Sequence, residues 1–260
     1  MITNTVKNTI ITGALCLGAL ISAPHAGAEE KCNDFETIYV SKYFLNNNVW
    51  GQSSSPNGWS CIRNNNNTSP LNWETSFNWP LNNKPYDVKA YPSVVSGWHY
   101  GKWSNSSGLP VRIWDNKNVW SAGRSTYTNA GVANVAYDLW FHTTNNPTWA
   151  STPTDEIMIW TSKSGGGPLG TFQKNVSFSH GTYALYKSTG QLAWNVFSYV
   201  RTSNSTNWSF NIRDFVNDVT YTQKWMANSK YLSSVQFGTE VFSSNGNAKL
   251  SITGYKVDVY

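Results

Sequence analysis

The chain carries six glutamates, Glu29, Glu30, Glu36, Glu74, Glu156 and Glu240. Only the last two fall inside alternating apolar segments, "DEIMIW" (155–160) and "SVQFGTEVF" (234–242), and so read as mid-strand residues. Side chains alternate between the two faces of a strand. Glu156, Met158 and Trp160 therefore share one face, with Asp155, Ile157 and Ile159 on the other. In the later segment Gln236 and Glu240 oppose Val235, Phe237 and Val241. Two carboxyl groups in an aromatic, weakly charged setting are the minimum machinery for cleaving a glycosidic bond. One attacks the anomeric carbon, and the other protonates the leaving oxygen and then activates water. Two structural acids fit the same spacing about equally well.

Elements that could position such a pair recur along the chain. Alternating segments bounded by turn residues appear at 37–45, 134–142, 156–160, 193–201, 234–242 and 252–260. Turn clusters such as "QSSSPNGWS" (52–60), "NNNNTSP" (64–70) and "SGGGPLG" (164–170) separate them. In "NVAYDLWFH" (134–142), Val135, Tyr137, Leu139 and Phe141 form an apolar face, while Asn134, Ala136, Asp138, Trp140 and His142 form the other. Faces carrying single acids beside Met, Trp, Asn and Gln suit the floor of a cleft. Around 209–221, Ile212, Phe215, Val216 and Val219 instead follow helical spacing. The expected fold is all-β, a two-sheet sandwich or jelly roll of antiparallel strands with one helix packed on it.

Charge and composition narrow the partners. The net charge is +5, but only 13% of residues are charged and no Lys/Arg cluster appears, so nucleic acid is not an expected partner. The 14 Trp and 14 Tyr, with abundant Asn, Ser and Thr, suit a neutral polyhydroxylated ligand, although most aromatics must also fill the core. The N-terminus reads as a secretory signal peptide: Lys7, an apolar run too short to span a bilayer, then "HAGA". Cleavage is expected after Ala28, leaving residues 29–260 as a single catalytic domain of an exported, extracellular protein with no membrane partner. Cys32 and Cys61 then remain, and in an exported chain two cysteines usually pair. His99, His142 and His180 show no metal-ligand spacing, and neither a metal nor a cofactor is expected. There is no G-x-S-x-G elbow for a serine nucleophile. A monomer is the expected state.

Several separated motifs resemble the endo-β-1,4-glucanases of glycoside hydrolase family 12. They are "EIMIW" (156–160), "FGTEVF" (237–242), "ANVAYDL" (133–139), "NNVWG" (47–51) and the early cysteine pair. The resemblance implies a jelly roll with an open groove on its concave sheet and hydrolysis with retained configuration. It further implies Glu156 as nucleophile, Glu240 as acid/base and Asp138 as the carboxyl neighbour of the nucleophile. Asn48 and Trp50 would bind the glycone side of the substrate. Asn134, Met158 and Trp160 would complete the sugar-binding floor. The implied substrate is a β-glucan, with soluble or amorphous chains favoured because no appended binding domain is evident. The rivals are a xyloglucan- or xylan-cleaving enzyme of like architecture and a non-catalytic carbohydrate-binding jelly roll.

Overall fold

The structure, a computed structural model, describes residues 28–260. The leader expected over 1–28 lies outside the described residues but for Ala28. Two sheets account for the strands. The smaller holds six, in the order Glu30–Lys31, Trp59–Asn64, Leu71–Asn78, Ala248–Val259, Val119–Thr128 and Asn207–Asn211. The larger runs Thr171–Phe178, Gly181–Ser188, Asn195–Arg201, Asp155–Ser164, Val132–His142, Tyr231–Gly238, Ser93–His99, Tyr43–Asn46 and Thr37–Val40, with three short strands attached.

The alternation read from the sequence sets which side each sheet buries. Tyr137, Leu139, Ile157, Ile159, Phe197 and Phe237 of the large sheet meet Trp73, Leu250, Ile252, Tyr255 and Trp208 of the small one in a single core. Full burial of such side chains stabilises the sandwich by about 1.5–3 kcal/mol each. Within this core the Tyr137 hydroxyl bonds the Ser121 hydroxyl at 2.6 Å and accepts the Trp208 indole N–H at 2.6 Å, so its polar atom is not left unpaired. The helical stretch is Arg213–Asn217 continued by a π-helical turn, Asp218–Thr222, and it buries Phe215, Val216 and Val219 as its spacing requires. Cys32 and Cys61 form the expected disulfide.

Three local expectations change. Residues 37–45 are not one strand but a hairpin, because Ser41 turns the chain with a φ of 52°. The strand of Phe237 ends at Gly238 and resumes at Val241, so Glu240 stands at a kink rather than mid-strand. Gly238 fits there because a Cβ would come within 2.1 Å of the Pro92 carbonyl oxygen. The strands are not all antiparallel either: Asp155–Trp160 pairs in parallel with Asn195–Val200. The intervening 171–188 hairpin joins the edge of the same sheet, and Asn195–Arg201 then enters between that hairpin and Asp155–Ser164, which makes the last pairing parallel.

Candidate active site

Residues on the large-sheet face turned away from the core, the face expected to be concave, follow from the register. Met158 lies opposite Asp138 on one side and Ser198 on the other, and Asp138 lies opposite Gln236. One step along the strands, Glu156 is flanked by Trp140 and Val196. Cross-strand and diagonal neighbours on one face lie within side-chain reach. Asp138 and Glu156 are thus diagonal neighbours, as the motifs implied. Met158, Trp160, Ala136 and Val196 form an apolar cluster beneath them.

Glu156 is buried, and its Oε2 accepts the indole N–H of Trp194 at 2.8 Å. The Trp194 ring packs edge-on against Trp140, with centroids 5.2 Å apart, so the donor is held in place by the residue opposite the carboxyl. Glu240 is fixed from the other side by Asn134. The Asn134 side chain donates to Glu240 Oε2 at 2.5 Å and accepts the Glu240 backbone N–H at 2.8 Å, and its own backbone N–H donates to the Glu240 carbonyl at 3.1 Å. The Thr239 hydroxyl donates to the Asn134 carbonyl, which pins the kink. Asn134 therefore uses both ends of its amide to shape Glu240.

Burial dominates the electrostatics. It raises Glu156 to about 8, an effect opposed by the Trp194 hydrogen bond and reinforced by the charge of Glu240. It raises Glu240 to about 7 against the Asn134 bond. Asp138 is raised well above the carboxylate range by burial and then by the charges of Glu156 and Glu240. Three carboxyls that disfavour simultaneous ionisation share protons and titrate as a unit. That arrangement supplies both an acid and an anion at one place. His99, buried beside Gln236, is lowered to about 4 and stays neutral.

The remaining expected residues fall into two groups. Asn48 is buried, and its Oδ1 accepts the backbone N–H of Trp50, whose ring is 59% exposed. The Asn48 carbonyl accepts the N–H of Tyr91, so this segment joins the carboxyl cluster through Tyr91. Met158 and Trp160 face the concave side but are buried, and the Trp160 indole N–H has no partner within the protein. The two glutamates are thus set into the floor more deeply than an open solvent-facing cleft implies. Among the described residues no group of three His, Cys, Asp or Glu could hold a metal.

Sequence reasoning missed Trp194, Tyr91 and Tyr100. The Tyr91 hydroxyl donates to the Ala136 carbonyl at 3.0 Å and feels the charges of Asp138, Glu240 and Glu156. Tyr100, half exposed in a left-handed turn, feels the charge of Glu156. Trp194 left one signal, since it precedes a strand with the same parity as Val196 and Ser198. Trp194→Phe keeps the ring against Trp140 and removes the donor. A hydrogen bond to a charged group is worth about 1.5–3 kcal/mol, or about 1–2 pK units. The bond favours ionised Glu156, so its loss raises that group further, and the acidic limb of kcat/KM against pH moves upward by about that amount. An unmoved limb would show that the indole does not set the ionisation of Glu156.

A jelly roll with paired, burial-raised carboxyls on its concave sheet has the makings of a glycoside hydrolase, and comparison with known proteins agrees. The model of glycosyl hydrolase family 12 matches residues 41–260, and the chain belongs to that family. It is 37% identical to endoglucanase S of Pectobacterium parmentieri, over 96% of this chain and 95% of that one. It is 30% identical to a xyloglucan-specific endo-β-1,4-glucanase A of Emericella nidulans, over 95% and 98%. The family 12 xyloglucanase of Bacillus licheniformis in complex with ligand superposes with a TM-score of 0.82 at 37% identity, covering 89% of this chain and all of that one.

Proposed function

We propose that this hydrolase is an exported endo-β-1,4-glucanase that cleaves internal bonds of soluble or amorphous β-glucan with retention of configuration. The observation that carries the reading is the convergence of Glu156 and Glu240 in one site, where burial raises both and the charge of Glu240 adds to the rise of Glu156. Glu156 is buried near the start of its strand and paired on both sides, which suits a nucleophile that must be held still against carbon. Glu240 is partly buried at the kink and less enclosed than Glu156, which suits a group that exchanges protons with the leaving oxygen and with water. In the first displacement the Glu156 carboxylate attacks the anomeric carbon as Glu240 gives its proton to the departing oxygen. In the second, ionised Glu240 takes a proton from water, and the water oxygen displaces the Glu156 ester. Asp138, kept protonated by burial and by its neighbours' charges, lets Glu156 ionise without a second adjacent charge. Trp50 would contact a sugar ring, Met158 and Trp160 would underlie the site from their buried cluster, and Asn48 and Asn134 would be polar neighbours. Export is supported by the leader pattern at 1–28 and by the Cys32–Cys61 disulfide, which needs an oxidising compartment.

A second reading, with xyloglucan as the preferred polymer, draws on the likeness to the Bacillus licheniformis xyloglucanase. Initial rates on carboxymethylcellulose, mixed-linkage β-glucan, xyloglucan and xylan separate the two, and proton NMR of the first-formed anomer tests retention. Preference for xyloglucan favours the second reading. A first-formed α-anomer would remove the double displacement.

A further inference from the structure

The row of cross-strand partners through the carboxyl site continues past Met158 to the edge of the large sheet. Met158 lies opposite Ser198, Ser198 opposite Tyr186, and Tyr186 opposite Phe172. Partners opposite one another share a face, so all four belong to the concave side. Phe172 thus stands three strand spacings from Met158, about 14 Å. Its ring is 54% exposed and meets Tyr186 edge-on, with centroids 5.7 Å apart. Tyr186 in turn packs on the apolar cluster that contains Met158 and Trp160. A lone exposed phenylalanine is ordinary. This one is distinguished by its place at the end of a continuous row and by Ser198. The Ser198 hydroxyl is fully buried between Tyr186 and Met158 and has no partner within the protein. Leaving such a group unpaired is costly, and a hydroxyl-bearing ligand or bridging water relieves it. The core does not require Phe172 either, because Val176 and Phe178 serve the inner face of the same strand.

We propose that Phe172 and Tyr186 form a remote platform for a neutral pyranose ring, taking a sugar of the same polymer chain whose cleavage occurs at Glu156. The inference rests on the glucanase reading. Aromatic faces pack on the C–H face of a sugar. A β-1,4-linked glucan advances by roughly one strand spacing per sugar, so a strand lying across the sheet reaches Phe172 only when several units extend beyond the cleaved bond.

Two measurements on the full protein test this. With cello-oligosaccharides of increasing length, Phe172→Ala should lose kcat/KM progressively, by about three- to tenfold on the longest chains, and Phe172→Trp should restore it. A loss that is equal at all lengths, or no loss on the longest, overturns the platform. Affinity electrophoresis through gels containing β-glucan separates this from failure of the catalytic reading. Retardation of Glu156→Gln that weakens on adding Phe172→Ala supports the platform even if no turnover is seen. Retardation that is indifferent to Phe172 overturns it, whatever the activity.

Discussion

Glu156→Gly should abolish hydrolysis of β-glucan by several orders of magnitude, and azide should restore turnover of activated aryl glycosides by entering the vacated space. The product should be a glycosyl azide of inverted configuration, because a single displacement has replaced two. Glu240→Gly should behave differently. Polymer cleavage needs protonation of a poor leaving group and should fall as far, whereas activated aryl glycosides should still form the glycosyl ester with Glu156. Azide should then attack that ester and give a product of retained configuration. The local structure supports a clean comparison. Glu156 is held by strand pairing on both sides, and the Glu240 kink by the backbone and hydroxyl bonds of Asn134 and Thr239. Circular dichroism should therefore be unaltered in both variants. Substantial residual polymer hydrolysis by either would remove the assigned division of labour.

The same carboxyls should cost stability, and the cost should depend on pH. Burial raises Glu156 from 4.5 to about 8 and Glu240 from 4.5 to about 7, and it raises Asp138 as well. Between the ordinary and the raised values the folded state holds protons that the unfolded chain has released. Stability therefore falls as pH rises through that window, the reverse of a carboxylate paired with a cation. Glu156→Gln removes one such group and relieves its two neighbours. The variant and the wild type should differ little near pH 4. By pH 8 the variant should be the more stable by on the order of a few kcal/mol. Urea or thermal unfolding at several pH values checks this, and a difference independent of pH would mean that Glu156 is not raised. Enhanced stability on removing a functional group is the usual trade between activity and stability.

The sequence by itself determined the alternation of faces, the all-β class, the helical stretch around Phe215 and the isolation of Glu156 and Glu240 from every other glutamate. Each is a local property: side-chain period is two in a strand and 3.6 in a helix, so composition along a short segment fixes what faces the core. The tertiary structure decided which segments become neighbours. Trp194 reaches Glu156 from 38 residues away, and Asn134 reaches Glu240 across 106. The kink at Glu240 likewise depends on Asn134 and Pro92 lying beside Gly238 and Thr239, which the alternating pattern of 234–242 does not reveal. The parallel pairing of Asp155–Trp160 with Asn195–Val200 put Val196 and Ser198 beside the site and left Phe172 at the sheet edge. Strand order and register are set by long-range packing between segments whose local patterns are nearly interchangeable, so an alternating pattern says which way a side chain points but not what stands across from it.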